Sequence, residues 1–183
     1  MFQNARPIHL PLEFFHLCPI HVNMAFRNKP RNSGKPLTPD EALTKLEHFC
    51  AYRERCPKEV RAKLAELGLK GGDAEQIFEV LREDGFFNEE RFALAFAGGK
   101  FRVNHWGRVR IRLELRTRDI APDVIQRALD SIDEQEYLKL IKQLLEKKRR
   151  QYEGDEHARE KSAASLIRAG FEQELVFRYL WPR

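Results

Sequence analysis

A chain of 183 residues, 42% hydrophobic and 33% charged, is too apolar for a disordered protein and suits one domain or one compact array of repeats. No apolar run approaches the roughly 20 residues of a membrane helix. The three cysteines, Cys18, Cys50 and Cys56, are few and odd in number and follow no signal peptide, so they read as reduced thiols of a cytoplasmic protein.

The net charge of +5 conceals separate blocks. Residues 1–37 carry Arg6, Arg27, Lys29, Arg31 and Lys35 against Glu13. From Lys100 to Arg118 seven bases oppose Glu114, a local 7 − 1 = +6, and from Lys139 to Arg150 six oppose Glu146, a local 6 − 1 = +5. Between them, residues 119–138 hold Arg127 against six acids, 1 − 6 = −5. Such alternation implies one face for an anionic partner and another for something else; solvated helix faces would leave the same pattern.

In chain order, residues 1–23 mix proline, histidine and aromatics without periodicity, and residues 24–37 have the composition of a flexible basic tail. Met24 opens that tail as a start codon would, so residues 1–37 are expected to be a disordered or mis-started extension. Thr38-Pro39-Asp40-Glu41 is a helix opening, with a capping side chain, proline at the first helical position and acids in the first turn. Leu43, Leu46 and Phe49 follow on one face. Cys56-Pro57 starts a second helix with Val60, Leu64 and Leu67, ended by Gly68. Gly71-Gly72-Asp73 turns into a third, with Ile77, Phe78 and Leu81, stopped by Gly85.

The unit then repeats. Leu64, Leu115 and Leu166 are equally spaced, 115 − 64 = 51 and 166 − 115 = 51. Five residues after each comes Leu69, Ile120 or Phe171, preceded by Gly68, Asp119 or Gly170, residue types that tolerate a left-handed helix end. The first unit aligns fully if Lys70-Gly71-Gly72 is an insertion. Asp40, Asn88 and Asp133 mark the opening helices. The pattern predicts an all-α fold, a tandem array of three three-helix repeats, elongated and curved, over residues 38–86, 87–132 and 133–183. In the middle repeat, Trp106, Val109 and Leu113 fall on one side of a helical wheel and Ile111 and Leu115 on the other, as suits a helix wedged between neighbours. Arg108, Arg112 and Arg116 form a ridge between these stripes, expected to be exposed because unpartnered buried guanidinium groups are costly.

No catalytic motif appears: no Gly-rich phosphate loop, no Gly-x-Ser-x-Gly, no His-Glu-x-x-His. His9, His16, Cys18 and His21 could hold zinc but fit no common zinc spacing. Cys50 reads as a core thiol, Cys56 as a helix-start residue and Trp106 as core rather than a base-stacking platform. The chain reads as a binding protein, not an enzyme, with no cofactor and no metal.

Glu90-Arg91-Phe92-Ala93-Leu94-Ala95-Phe96, then Gly107-Arg108-Val109-Arg110-Ile111-Arg112-Leu113-Glu114-Leu115 and Ile120, resemble the middle of the RecX family, bacterial regulators of the RecA recombinase. Tyr52-Arg53-Glu54-Arg55, Val60-Arg61-Ala62-Lys63-Leu64 and Leu166-Ile167-Arg168-Ala169-Gly170-Phe171 extend the resemblance over about residues 38–181. The chain departs from the family at Cys56, where a capping serine is usual, and at Asp119, where glycine is common. The resemblance implies arrays of three-helix repeats without catalytic activity that bind the RecA–DNA filament in its groove, restrain its ATP hydrolysis and strand exchange, and bind DNA themselves. Together with the charge blocks it places filament or DNA contacts on Arg102, Arg108, Arg110, Arg112, Arg116, Lys147, Lys148, Arg149 and Arg150, in a cytoplasmic monomer. A stand-alone DNA reader would need base-reading side chains opening its third helices, where Asp73-Ala74-Glu75 and Pro122-Asp123-Val124 stand instead. A helical scaffold unrelated to RecA is the other alternative.

Overall fold

A computed structural model describes residues 37–180, and the readings of residues 1–36, the zinc candidates among them, lie outside the described residues. Leu37 packs against the apolar core of the first helices. The described residues form nine helices and no strand: α1 (Pro39–Tyr52), α2 (Pro57–Glu66), α3 (Gly71–Glu83), α4 (Glu89–Asn104), α5 (Arg108–Arg116), α6 (Pro122–Asp130), α7 (Glu134–Gln151), α8 (Ala158–Arg168) and α9 (Gln173–Leu180). Helix packing follows the repeat: α1, α2 and α3 pack on one another, as do α4, α5 and α6, and then α7, α8 and α9.

The opening helix of each triplet carries a side-chain cap. Thr38 Oγ1 accepts the Glu41 amide while Glu41 Oε2 accepts the Thr38 amide at 2.9 Å. Asn88 Oδ1 accepts the Arg91 amide at 2.8 Å, and Asp133 Oδ1 the Glu136 amide at 2.7 Å. The middle helices end alike. Gly68, Asp119 and Gly170 have φ of 85°, 60° and 91°. The next residue's amide then returns to the leucine five positions back: Leu69 to Leu64 at 3.1 Å, Ile120 to Leu115 at 3.4 Å, Phe171 to Leu166 at 3.1 Å. The 51-residue spacing is therefore a repeat of one hydrogen-bonded turn.

Lys70 caps α3, and Gly71 and Gly72 form its first turn, so the extra residues lengthen α3 to 13 residues against 9 in α6 and 8 in α9. The first triplet closes a core of its own around Leu46, Val60, Leu64, Phe78, Leu81 and Phe87. The second and third share one core, in which Tyr137 stands between Phe101 and Phe171 with ring centroids 5.7 and 5.5 Å away. Cys56, at the start of α2, belongs to this shared core, while Cys50 lies in the core of the first triplet.

The wedge reading of α5 is corrected. Ile111 and Leu115 are fully buried, but Val109 is 43% and Leu113 55% exposed. The seam between the second and third triplets runs instead through the start of α5, where Gly107 and Gly170 bring two backbones together. That leaves the far side of the helix in solvent.

Candidate functional site

The seam fixes how α5 is presented. The Gly107 amide donates to Ala169 O and the Val109 amide to Gly170 O, both at 3.0 Å. The Arg108 amide donates to the Tyr137 hydroxyl at 3.0 Å, and that hydroxyl donates to Glu172 Oε2 at 2.5 Å. Burial, reinforced by the Glu172 carboxylate, pushes the Tyr137 phenol well above its usual range, so it stays protonated and donating. The first orphan amides of α5 are thus satisfied by the neighbouring triplet.

Arg108 belongs to this seam. Its guanidinium donates to Ile132 O at 3.2 Å, pairs with Glu134 Oε2 at 2.8 Å and lies 4.1 Å from the centroid of the Tyr137 ring. The expectation of an exposed ridge through Arg108, Arg112 and Arg116 therefore holds for Arg116 alone. Arg108 and Arg112 are half-buried, and Arg112 donates to Gln126 Oε1 at 3.1 Å. Burial of the arginine stems is tolerated because carbonyl, amide and carboxylate oxygens meet their heads.

The other basic residues sit as follows. Arg110 is exposed, with its guanidinium 3.9 Å over the Trp106 ring. Trp106 is half-buried and packs against the shared core. Arg102 is exposed on α4 and folds back over Gly98, where a Cβ would come within 2.9 Å of its guanidinium. On α7, Lys147, Arg149 and Arg150 are exposed and Lys148 is half-buried; Arg150 pairs with Glu146 at 3.0 Å and Lys148 donates to Gln151 Oε1 at 2.9 Å. Arg102, Arg110, Arg112, Arg116, Lys147, Lys148 and Arg149 have no carboxylate partner among the described residues. Asp123 pairs with Arg127 at 2.9 Å, whose hydrogen bond holds its carboxyl below the usual range.

The exposure of the Val109 and Leu113 stripe is not legible in the sequence. Their helical spacing was legible, but which stripe of α5 faced the core was not. Among the described residues no group of three His, Cys, Asp or Glu could hold a metal ion, and no helix is long and apolar enough to cross a membrane.

Residues 88–129, spanning the cap of α4 to the last turn of α6, match the family model for RecX, second three-helix domain. The chain is 27% identical over 139 residues to regulatory protein RecX of Geobacillus kaustophilus, a match covering 74% of this chain and 51% of the relative. It is 28% identical over 137 residues to regulatory protein RecX of Prosthecochloris aestuarii, covering 74% of this chain and 89% of that one. The chain is similar to RecX proteins across 74% of its length. It spans about half the length of some RecX relatives, 51% for that of Geobacillus kaustophilus, and most of others. The crystal structure of RecX from Lactobacillus salivarius has the same fold, with a TM-score of 0.72 at 19% identity over 78% of this chain and 94% of that chain. A second RecX crystal structure superposes with a TM-score of 0.68 at 20% identity, covering 77% of this chain and 72% of that one.

Proposed function

We propose that this chain is a RecX-type, non-enzymatic cytoplasmic regulator that binds the RecA–DNA filament and restrains its ATP hydrolysis and strand exchange. The observation that carries the reading is the family match centred on α4–α6. In that same triplet, α5 offers Arg110, Arg112 and Arg116, which have no carboxylate partner among the described residues. Uncompensated guanidinium groups raise the local potential and attract an anionic surface. Arg102, Lys147 and Arg149 extend this basic set on α4 and α7, with Lys148 and Arg150 beside them. Arg108 acts through the seam, holding α5 in place. The three repeats, 38–86, 87–132 and 133–183, supply more than one helix face to a filament built of repeated subunits.

Co-sedimentation with RecA filaments assembled on single-stranded DNA tests the binding directly. The chain is expected in the filament pellet, and a chain left in the supernatant contradicts the reading.

A further inference from the structure

The outward face of α5 is not a plain basic surface. With Ile111 and Leu115 fully buried, the 100° step per residue puts Leu113 at the centre of the opposite side and Val109 one turn before it. Arg112 and Arg116 then flank the stripe on one edge and Arg110 on the other. Among the described residues, Val109 and Leu113 are large hydrophobic side chains left exposed, and the arginines have no carboxylate to neutralise them.

A DNA backbone rewards cationic and hydrogen-bonding side chains. Two aliphatic side chains in the middle of the contact would instead strip water from phosphates without replacing its hydrogen bonds. A protein interface has the opposite anatomy, an apolar centre with charge at its rim and arginine favoured. We infer that the outward face of α5 docks an acidic amphipathic helix of a protein partner, its apolar stripe on Val109 and Leu113 and its flanking carboxylates on Arg110, Arg112 and Arg116. Charge complementarity selects this occupant: a basic or neutral helix would desolvate three guanidinium groups without bringing a carboxylate to any of them. The hydrogen bonds from Gly107 and Val109 to the third triplet hold α5 before the partner arrives, which lowers the ordering cost of binding. Within the proposed function, this inference rests on the filament reading and assigns this face to protein rather than to nucleic acid.

The test uses two probes against the full chain and its Val109→Gln/Leu113→Gln variant. Glutamine removes the stripe, keeps the charge and suits a helix. The first probe is a synthetic amphipathic helix with a leucine stripe flanked by glutamates, and its counterpart with lysine in place of each glutamate. The glutamate helix should bind at least about tenfold more tightly than the lysine helix, and the variant should lose about tenfold of that affinity, as expected for apolar residues at an interface centre. Equal affinities for both helices, or an unaffected variant, overturn the inference. The second probe compares RecA–DNA filament with naked single-stranded DNA. The variant should lose about tenfold on the filament and stay within about twofold on DNA. An equal loss on both makes the face a DNA surface and overturns the inference. A wild-type chain that takes the glutamate helix but ignores the filament upholds the α5 face and defeats the filament reading instead. The Leu113→Ala variant, which keeps the best helix former at an exposed site, repeats both comparisons if the double variant loses helicity.

Discussion

Gly107 and Gly170 meet so closely that a Cβ on Gly107 would stand 2.1 Å from the Gly170 carbonyl oxygen. The obstacle is backbone, itself held by hydrogen bonds from Gly107 to Ala169 and from Val109 to Gly170, so it cannot swing aside as a side chain would. Gly107→Ala should therefore separate the second and third triplets and cost about 1–3 kcal/mol in urea denaturation, as forced overpacking does. Gly99→Ala is the control: its Cβ meets nothing within 4 Å, and replacing a mid-helix glycine by alanine should add about 0.8–1 kcal/mol. Equal stability of the two variants would show that the seam does not hold the triplets together.

The Tyr137 hydroxyl ties α7 to α5 and to the turn before α9, receiving the Arg108 amide of α5 and donating to Glu172. Tyr137→Phe keeps the ring between Phe101 and Phe171 and strands a partly buried amide. Its stability should fall by about 1–3 kcal/mol, the cost of an unsatisfied buried group. An unchanged urea midpoint would mean that water takes over the hydroxyl's place.

Exposed bases and seam bases should separate experimentally. Arg116→Ala, Lys147→Ala and Arg149→Ala should leave the thermal midpoint in place. Each that touches a phosphate should lower the salt slope of single-stranded DNA binding by about 0.7. Arg108→Ala should instead lose stability, by about 1–3 kcal/mol, because it abandons Ile132 O and Glu134. A neutral Arg108→Ala would return that residue to the exposed ridge.

Burial pushes the Cys50 thiol up to about 11 and raises that of Cys56. Both should resist iodoacetamide in the native chain at pH 8 and react once the chain is unfolded, read by mass spectrometry of the peptides that carry them. The folded state holds the Cys50 proton more tightly than the unfolded state. Its contribution to stability is therefore complete below the ordinary thiol value of 9.0 and is lost as pH rises toward about 11. Stability that rises across that range would contradict the assignment.

Much of the fold was legible because repeat chemistry leaves local marks. Asn88 and Asp133 cap the helices they mark, while in α1 the cap is Thr38 and Asp40 stands in the first turn; Gly68, Asp119 and Gly170 take the left-handed turn that their spacing announced. The basic face was less legible. Arg108 and Arg116 lie two turns apart on one helix, and nothing local distinguishes them. Arg108 is drawn in by Tyr137, 29 residues further along the chain, and by the Gly107–Gly170 approach, 63 residues apart (170 − 107). Likewise, periodicity revealed two stripes on α5, but only the packing of α4, α6 and the third triplet decides which one is buried.

Regulation of a RecA filament would show in RecA's DNA-dependent ATP hydrolysis, measured against rising amounts of the purified chain. Inhibition is expected at fewer than one chain per RecA monomer, because a three-repeat array can touch more than one filament subunit. An ATPase rate unchanged at equimolar chain would contradict it.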